Sequence, residues 1–164
     1  MAEGVEIRGN RSLHDLGREA LSFTLHTFLA VLALAIVVGA FALFHAPEDS
    51  STAKLLCTGL AFIVPMLVGF LMMKARPNPV ASYVWISGMI MFSLVCVWVL
   101  DLPTGNGLCN DCGAFDKLWR TFFSIDHNSG LMAGDGLLIG TWTPLAMIGY
   151  AVGAKFGFTE EETI

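Results

Sequence analysis

The sequence predicts an all-α integral membrane protein: a bundle of four transmembrane helices with an amphipathic interfacial helix in a long outer loop. Three observations carry that fold class. Apolar residues make up 55% of the 164 residues, above the roughly 45–50% of soluble domains. Charged residues are only 14% and gather between apolar runs, whereas a soluble bundle spreads them along its helix faces. The apolar runs are each about 19 to 24 residues long, and at ~1.5 Å per residue they cross a hydrocarbon core of ~30 Å.

Residues 1–20 read as a cytoplasmic amphipathic segment. Ser12 and Asp15 have the spacing of a helix start, and Leu13, Leu16 and Ala20 share a face that lies along the inner surface. The membrane domain covers 21–154, with spans over 21–44, 55–73, 80–100 and 131–154. Residues 101–130 form the outer loop and 155–164 a cytoplasmic tail. No span carries Lys, Arg or Glu in its interior. A cleaved signal peptide does not fit the first span, whose apolar core is too long and lacks a small-x-small site near Ala46.

Basic residues set the orientation. Arg8, Arg11, Arg18, Lys74, Arg76 and Lys155 fall on one side, and only Lys54, Lys117 and Arg120 on the other. The first group is therefore cytoplasmic, with both termini, and loops 45–54 and 101–130 are outside. Aromatic residues agree, with Tyr83, Trp85 and Tyr150 marking the inner interface and Trp98 and Trp119 the outer one. The expected location is a plasma membrane, most simply a bacterial inner membrane. The net charge of −5 without a basic patch excludes nucleic acid as a partner.

Small residues four apart let helix backbones approach in lipid. The fourth span holds Gly130 with Gly134, Gly136 with Gly140, and Gly149 with Gly153, with Gly157 beyond. These glycines pack either on another helix of the same chain or on a partner subunit. Pro65 and Pro144 sit midway along the second and fourth spans, and each removes a backbone hydrogen bond.

The outer loop contains Cys109, Asn110, Asp111 and Cys112 within a turn-forming run of Pro103, Gly105, Gly107 and Gly113. Outside the cytoplasm such a pair is expected as a disulfide, serving as a structural clip or as a redox pair. Cys57 and Cys96 lie ~5–8 Å inside the outer ends of their spans. All four thiols thus approach one face, as a thiol–disulfide relay requires, although lone buried cysteines commonly act as small hydrophobes. Beyond the pair, Phe115, Leu118, Trp119, Phe122 and Ile125 recur at helical spacing opposite Asp116, Lys117 and Arg120, which predicts the interfacial helix.

Asp126, His127 and Asp135 offer oxygen and imidazole donors near the start of the fourth span, but their spacing matches no closed metal site, and helix capping explains most of it. His26 and His45 are ~28 Å apart on one helix, so they do not form a haem pair. No cofactor is called for. His26 reads as a hydrogen-bonded interior residue.

The functional expectation is a small non-enzymatic membrane subunit, an accessory, assembly or structural component of a larger complex. Its partners are the lipid bilayer and other membrane subunits, or a second copy, met through the fourth helix and outer loop. The first alternative is a membrane thiol–disulfide oxidoreductase using Cys109 and Cys112 with Cys57 and Cys96. An oligomeric small-molecule or ion transporter is a further alternative, although such proteins place charge or broken helices at mid-membrane.

Overall fold

A computed structural model of the chain describes residues 13–44, 51–101, 112–123 and 139–159. Every regular element among them is helical. In order they are α1 (Leu13–Phe44), α2 (Ser51–Ala75), a 3-10 turn (Pro79–Tyr83), α3 (Trp85–Asp101), α4 (Ala114–Phe122) and α5 (Ile139–Thr159).

Three segments are long and apolar enough to cross a membrane: His14–Leu43, Leu55–Ala75 and Pro79–Asp101. Their surfaces are those of lipid-facing helices. Leu21, Leu43, Leu94 and Val97 are 72%, 82%, 64% and 67% exposed, and aliphatic surface on that scale is not stable in water. The segment expected along the inner surface is instead continuous with the first span. α1 runs unbroken for 32 residues, about 48 Å at helical rise, so it extends well beyond a core of ~30 Å.

Each helix buries one stripe. On α2 it is Cys57, Ala61, Pro65, Gly69 and Met73, spaced every four residues. On α1 it comprises His26, Ala30, Ala33, Leu34 and Val37. α5 differs because it is buried on several faces. It packs most extensively on α2, then on α3 and α1, while the outward faces of those three helices remain open. Composition suits this inner position: α5 carries Thr141, Thr143, Pro144, Tyr150 and several glycines, and it is covered by α1, α2 and α3.

Close approach explains the glycines. A methyl group built on Gly149 would overlap the backbone carbonyl of Phe62, and one on Gly153 that of Met66. Gly69 of α2 meets Tyr150 of α5 in the same way. Gly149 and Gly153 thus seat α5 against α2 of the same chain. Gly140 faces Phe122 and Thr121 of α4. Gly130, Gly134 and Gly136 lie outside the described residues.

Two apolar clusters fill the bundle. Ala30, Met73, Val84, Met147 and Tyr150 form one toward the end carrying the α2–α3 turn. Leu34, Val37, Cys57, Ala61, Trp142 and Ala146 form the other toward the opposite end.

Candidate functional site at the two ends of the bundle

The basic end is organised by polar contacts among α1, the α2–α3 turn and α5. Asn78 stands between Pro77 and Pro79, so its backbone is held extended, at φ −147° and ψ 110°. Its Oδ1 accepts from Val80 N at 3.0 Å, which caps the 3-10 turn, and its Nδ2 donates to Ser22 Oγ of α1. One side chain therefore fixes the turn and ties it to α1.

One turn deeper, His26 and Tyr150 share a hydrogen bond of 2.7 Å between Nδ1 and the phenolic oxygen. His26 is 5% exposed and Tyr150 0%. The expectation of a hydrogen-bonded interior His26 agrees with this. Tyr150, assigned from sequence to the inner interface, is instead wholly interior. Tyr83, Trp85, Trp98 and Trp119 are about half exposed, as belt residues are. Thr27 Oγ1 donates to Ser87 Oγ at 3.3 Å, and Ser87 donates to Val84 O at 2.6 Å. Hydroxyls and imidazole therefore line the α1–α3–α5 junction at this end, with one another or backbone carbonyls as partners. Hydrocarbon offers no alternative partner to such groups.

At the opposite end, Trp142 Nε1 donates to Thr58 Oγ1 at 2.9 Å, joining α5 to α2. α4 is fixed to the end of α3. Lys117, only 9% exposed, donates from Nζ to the carbonyl of Leu100 at 3.1 Å. A cation there satisfies a carbonyl of the last helical turn and complements the helix dipole. Phe122 is 3% exposed and stacks at a tilt on Phe92 of α3, 4.8 Å between centroids. Replacing Lys117 with methionine keeps its length and removes this bond. The loss expected is about 1 kcal/mol, and faster amide hydrogen exchange confined to α4 would register it; unchanged exchange would show that the aromatic contact alone suffices.

The other face of α4 is open. Phe115, Trp119 and Phe123 are 74%, 51% and 60% exposed. They stack in sequence, with centroids 6.1 Å and 5.2 Å apart. The 3–4 spacing of the sequence had marked this helix but not which aromatic residues point inward.

The cysteines divide between different places. Cys57 is fully buried among Leu34, Val37 and Trp142. Cys96 is half-buried on α3. α2 and α3 share at most marginal contact, so these two thiols sit on helices that scarcely touch. Cys112 packs on Val99 of α3, in a cluster with Val95 and Leu118 that does not include Cys96. Cys109 lies outside the described residues, as do His45, Asp126, His127 and Asp135. Among the described residues no three metal-ligating side chains come together.

Asn78, Ser87 and Lys117 were missed as positioning residues. The Pro-Asn-Pro run was a usable signal for Asn78, because an extended Asn before a proline-led turn is a natural cap. These features define a helical protein with three segments long and apolar enough to cross a membrane, a buried glycine-rich helix and an aromatic surface helix. Comparison with known proteins finds no matching family model, no matching curated protein and no matching solved structure.

Proposed function

We propose that the chain is a four-span, non-enzymatic subunit of a larger membrane complex, and that the aromatic face of α4 is where its partner docks. In this reading α5, with the residues just before it, is the fourth span. The basic end faces the cytoplasm of what is most simply a bacterial inner membrane, and α4 lies on the outer surface. The observation that carries the reading is the asymmetry of α4. One face is fastened by Lys117 and Phe122, and the other presents three stacked aromatic side chains on a rigid base. Large aromatic groups held in place at low conformational cost are what interface anchors require. The glycines of α5 are poor candidates for this role, since α2 already covers Gly149 and Gly153.

A photo-crosslinking amino acid placed at Phe115 or Phe123 in native membranes tests this. The expected result is a discrete protein adduct from either position and none from the same probe at lipid-facing Leu94. Trp119→Ala should reduce co-purification of the adduct partner at least tenfold, the effect of a hot-spot truncation of roughly 2 kcal/mol, without changing thermal stability. Adducts with lipid alone from all three positions would contradict the reading.

A second reading, thiol–disulfide exchange at the outer face, is favoured by the packing of Cys112 on Val99, three residues along α3 from Cys96. It takes Cys109 and Cys112 as the disulfide and Cys96 as the attacking thiol. Cys57, in the other cluster, is left out. Differential alkylation with a redox titration separates the readings. A bridge resistant to reduction below about −300 mV is a clip and leaves the subunit reading standing, whereas one near about −200 mV that exchanges with Cys96 is a relay.

A further inference from the structure

The open face of α4 has a symmetry that a docking surface does not by itself require. Phe115, Trp119 and Phe123 are evenly spaced along the helix, with the largest ring in the middle and all three exposed. Asp116 and Arg120 follow one edge of that stripe, the acid in the first turn of α4 and the base in the last. We propose that the partner met by this face is a second copy of the chain, with the two α4 helices antiparallel, Trp119 of both copies at the two-fold axis, and Phe115 of each copy against Phe123 of the other.

Three features select that occupant. The first is shape. Two copies inserted the same way are related by a two-fold axis along the membrane normal, so helices that lie in the plane of the surface on either side of it run antiparallel. Such a pair is self-complementary when the surface reads alike in both directions, and Phe-Trp-Phe at equal spacing does. The second is charge. The edge of the stripe carries one acid and one base, so two copies meet without net repulsion. At ~1.5 Å rise per residue, Asp116 falls about 3 Å along the helix from Arg120 of the other copy and about 9 Å from the other Asp116. Asp116 has no partner among the described residues, and Arg120, which keeps a contact within its own chain, has five N–H donors to share. The third is area. An aromatic side chain buries ~150–250 Å²; with Phe115, Trp119 and Phe123 at 74%, 51% and 60% exposure, the stripe offers about 370 Å² per copy and about 750 Å² for the pair. That is below the ~1,200 Å² of a stable interface in water, and it suits two copies already held in one membrane, where their concentration and orientation are restricted.

The pairing rests on the reading of α4 as a docking face, and the test separates the two. Full-length copies with different tags, one carrying Phe115→Cys and the other Phe123→Cys, are co-expressed and oxidised in native membranes, and the linked peptides are identified by mass spectrometry. A 115–123 link between differently tagged copies is expected. It should exceed at least tenfold any 115–115 or 123–123 link from either variant expressed alone, because residues of the same number lie about 12 Å apart along the paired helices. Adding Asp116→Arg to one copy should lower the link about fivefold, the upper range for a surface charge pair, and adding Arg120→Asp to the other copy should restore it. Links between like positions as strong as the 115–123 link would overturn the antiparallel pair. A photo-adduct of α4 with a different protein, with no link between copies, would overturn the second copy as partner and leave the docking face standing. Adducts with lipid alone would overturn both.

Discussion

Gly153→Leu should be the most damaging single substitution in the bundle, costing about 3 kcal/mol. Even the first carbon of the new side chain would overlap the Met66 carbonyl, a backbone group that cannot rotate aside. Relief requires α5 to move away from α2, which also separates Gly149 from Phe62 and Tyr150 from Gly69. The matched control is Gly59→Leu on α2, where an added Cβ meets nothing within 4 Å. That change should shift stability by less than about 0.5 kcal/mol. Reversible unfolding in mixed micelles at rising SDS fraction measures both. Equal effects would show that α2 and α5 are not in backbone contact, because a general intolerance of leucine for glycine would penalise both positions.

Tyr150→Phe should cost about 1–2 kcal/mol, although it removes one oxygen atom. The volume of the side chain is nearly unchanged, so no cavity term arises. The loss comes from His26, whose Nδ1 would keep its buried position with no partner. Introducing His26→Leu alone should cost a similar amount, since the phenolic hydroxyl is then orphaned. The double substitution removes both polar groups together and should cost less than the sum of the singles by about 0.6–1.7 kcal/mol, the range of interhelical side-chain bonds in membranes. Strict additivity would mean that the two groups do not interact.

Hydropathy located the elements well and their neighbours poorly. Runs of Leu, Val and Ile marked the first three spans to within a few residues, because lipid-facing helices carry their signal around most of the circumference. The start of α1 escaped because Leu13 to Ala20 carries charges at Asp15, Arg18 and Glu19, which read as surface even though the helix simply continues through them. The end of α5 lay beyond Lys155, where the sequence marks a tail, yet the helix runs on to Thr159. Packing partners are a different matter. His26 and Tyr150 are 124 positions apart, and no local pattern links an imidazole on one helix to a phenol on another. Tyr150 was placed at the interface because tyrosine in a span is usually found there; a buried partner overrides that tendency. The glycine spacing did announce a close contact, and choosing among its possible partners needed the opposing carbonyls of Phe62 and Met66. The same limit applied to the thiols. Depth along a helix can be counted from sequence, so all four cysteines fell near one face, but direction around the helix cannot, and Cys57 and Cys96 occupy helices that scarcely touch.

Whether the bundle has four spans depends on whether α5 crosses the membrane after α4. Alkaline phosphatase and green fluorescent protein, each fused in separate strains after Thr159 and before Leu13, test that most directly. With α5 as a fourth span, both ends report the cytoplasm: fluorescence from either fusion and no phosphatase activity from either. Phosphatase activity from the fusion after Thr159, with fluorescence retained at the other end, would leave three crossings and contradict the four-span bundle.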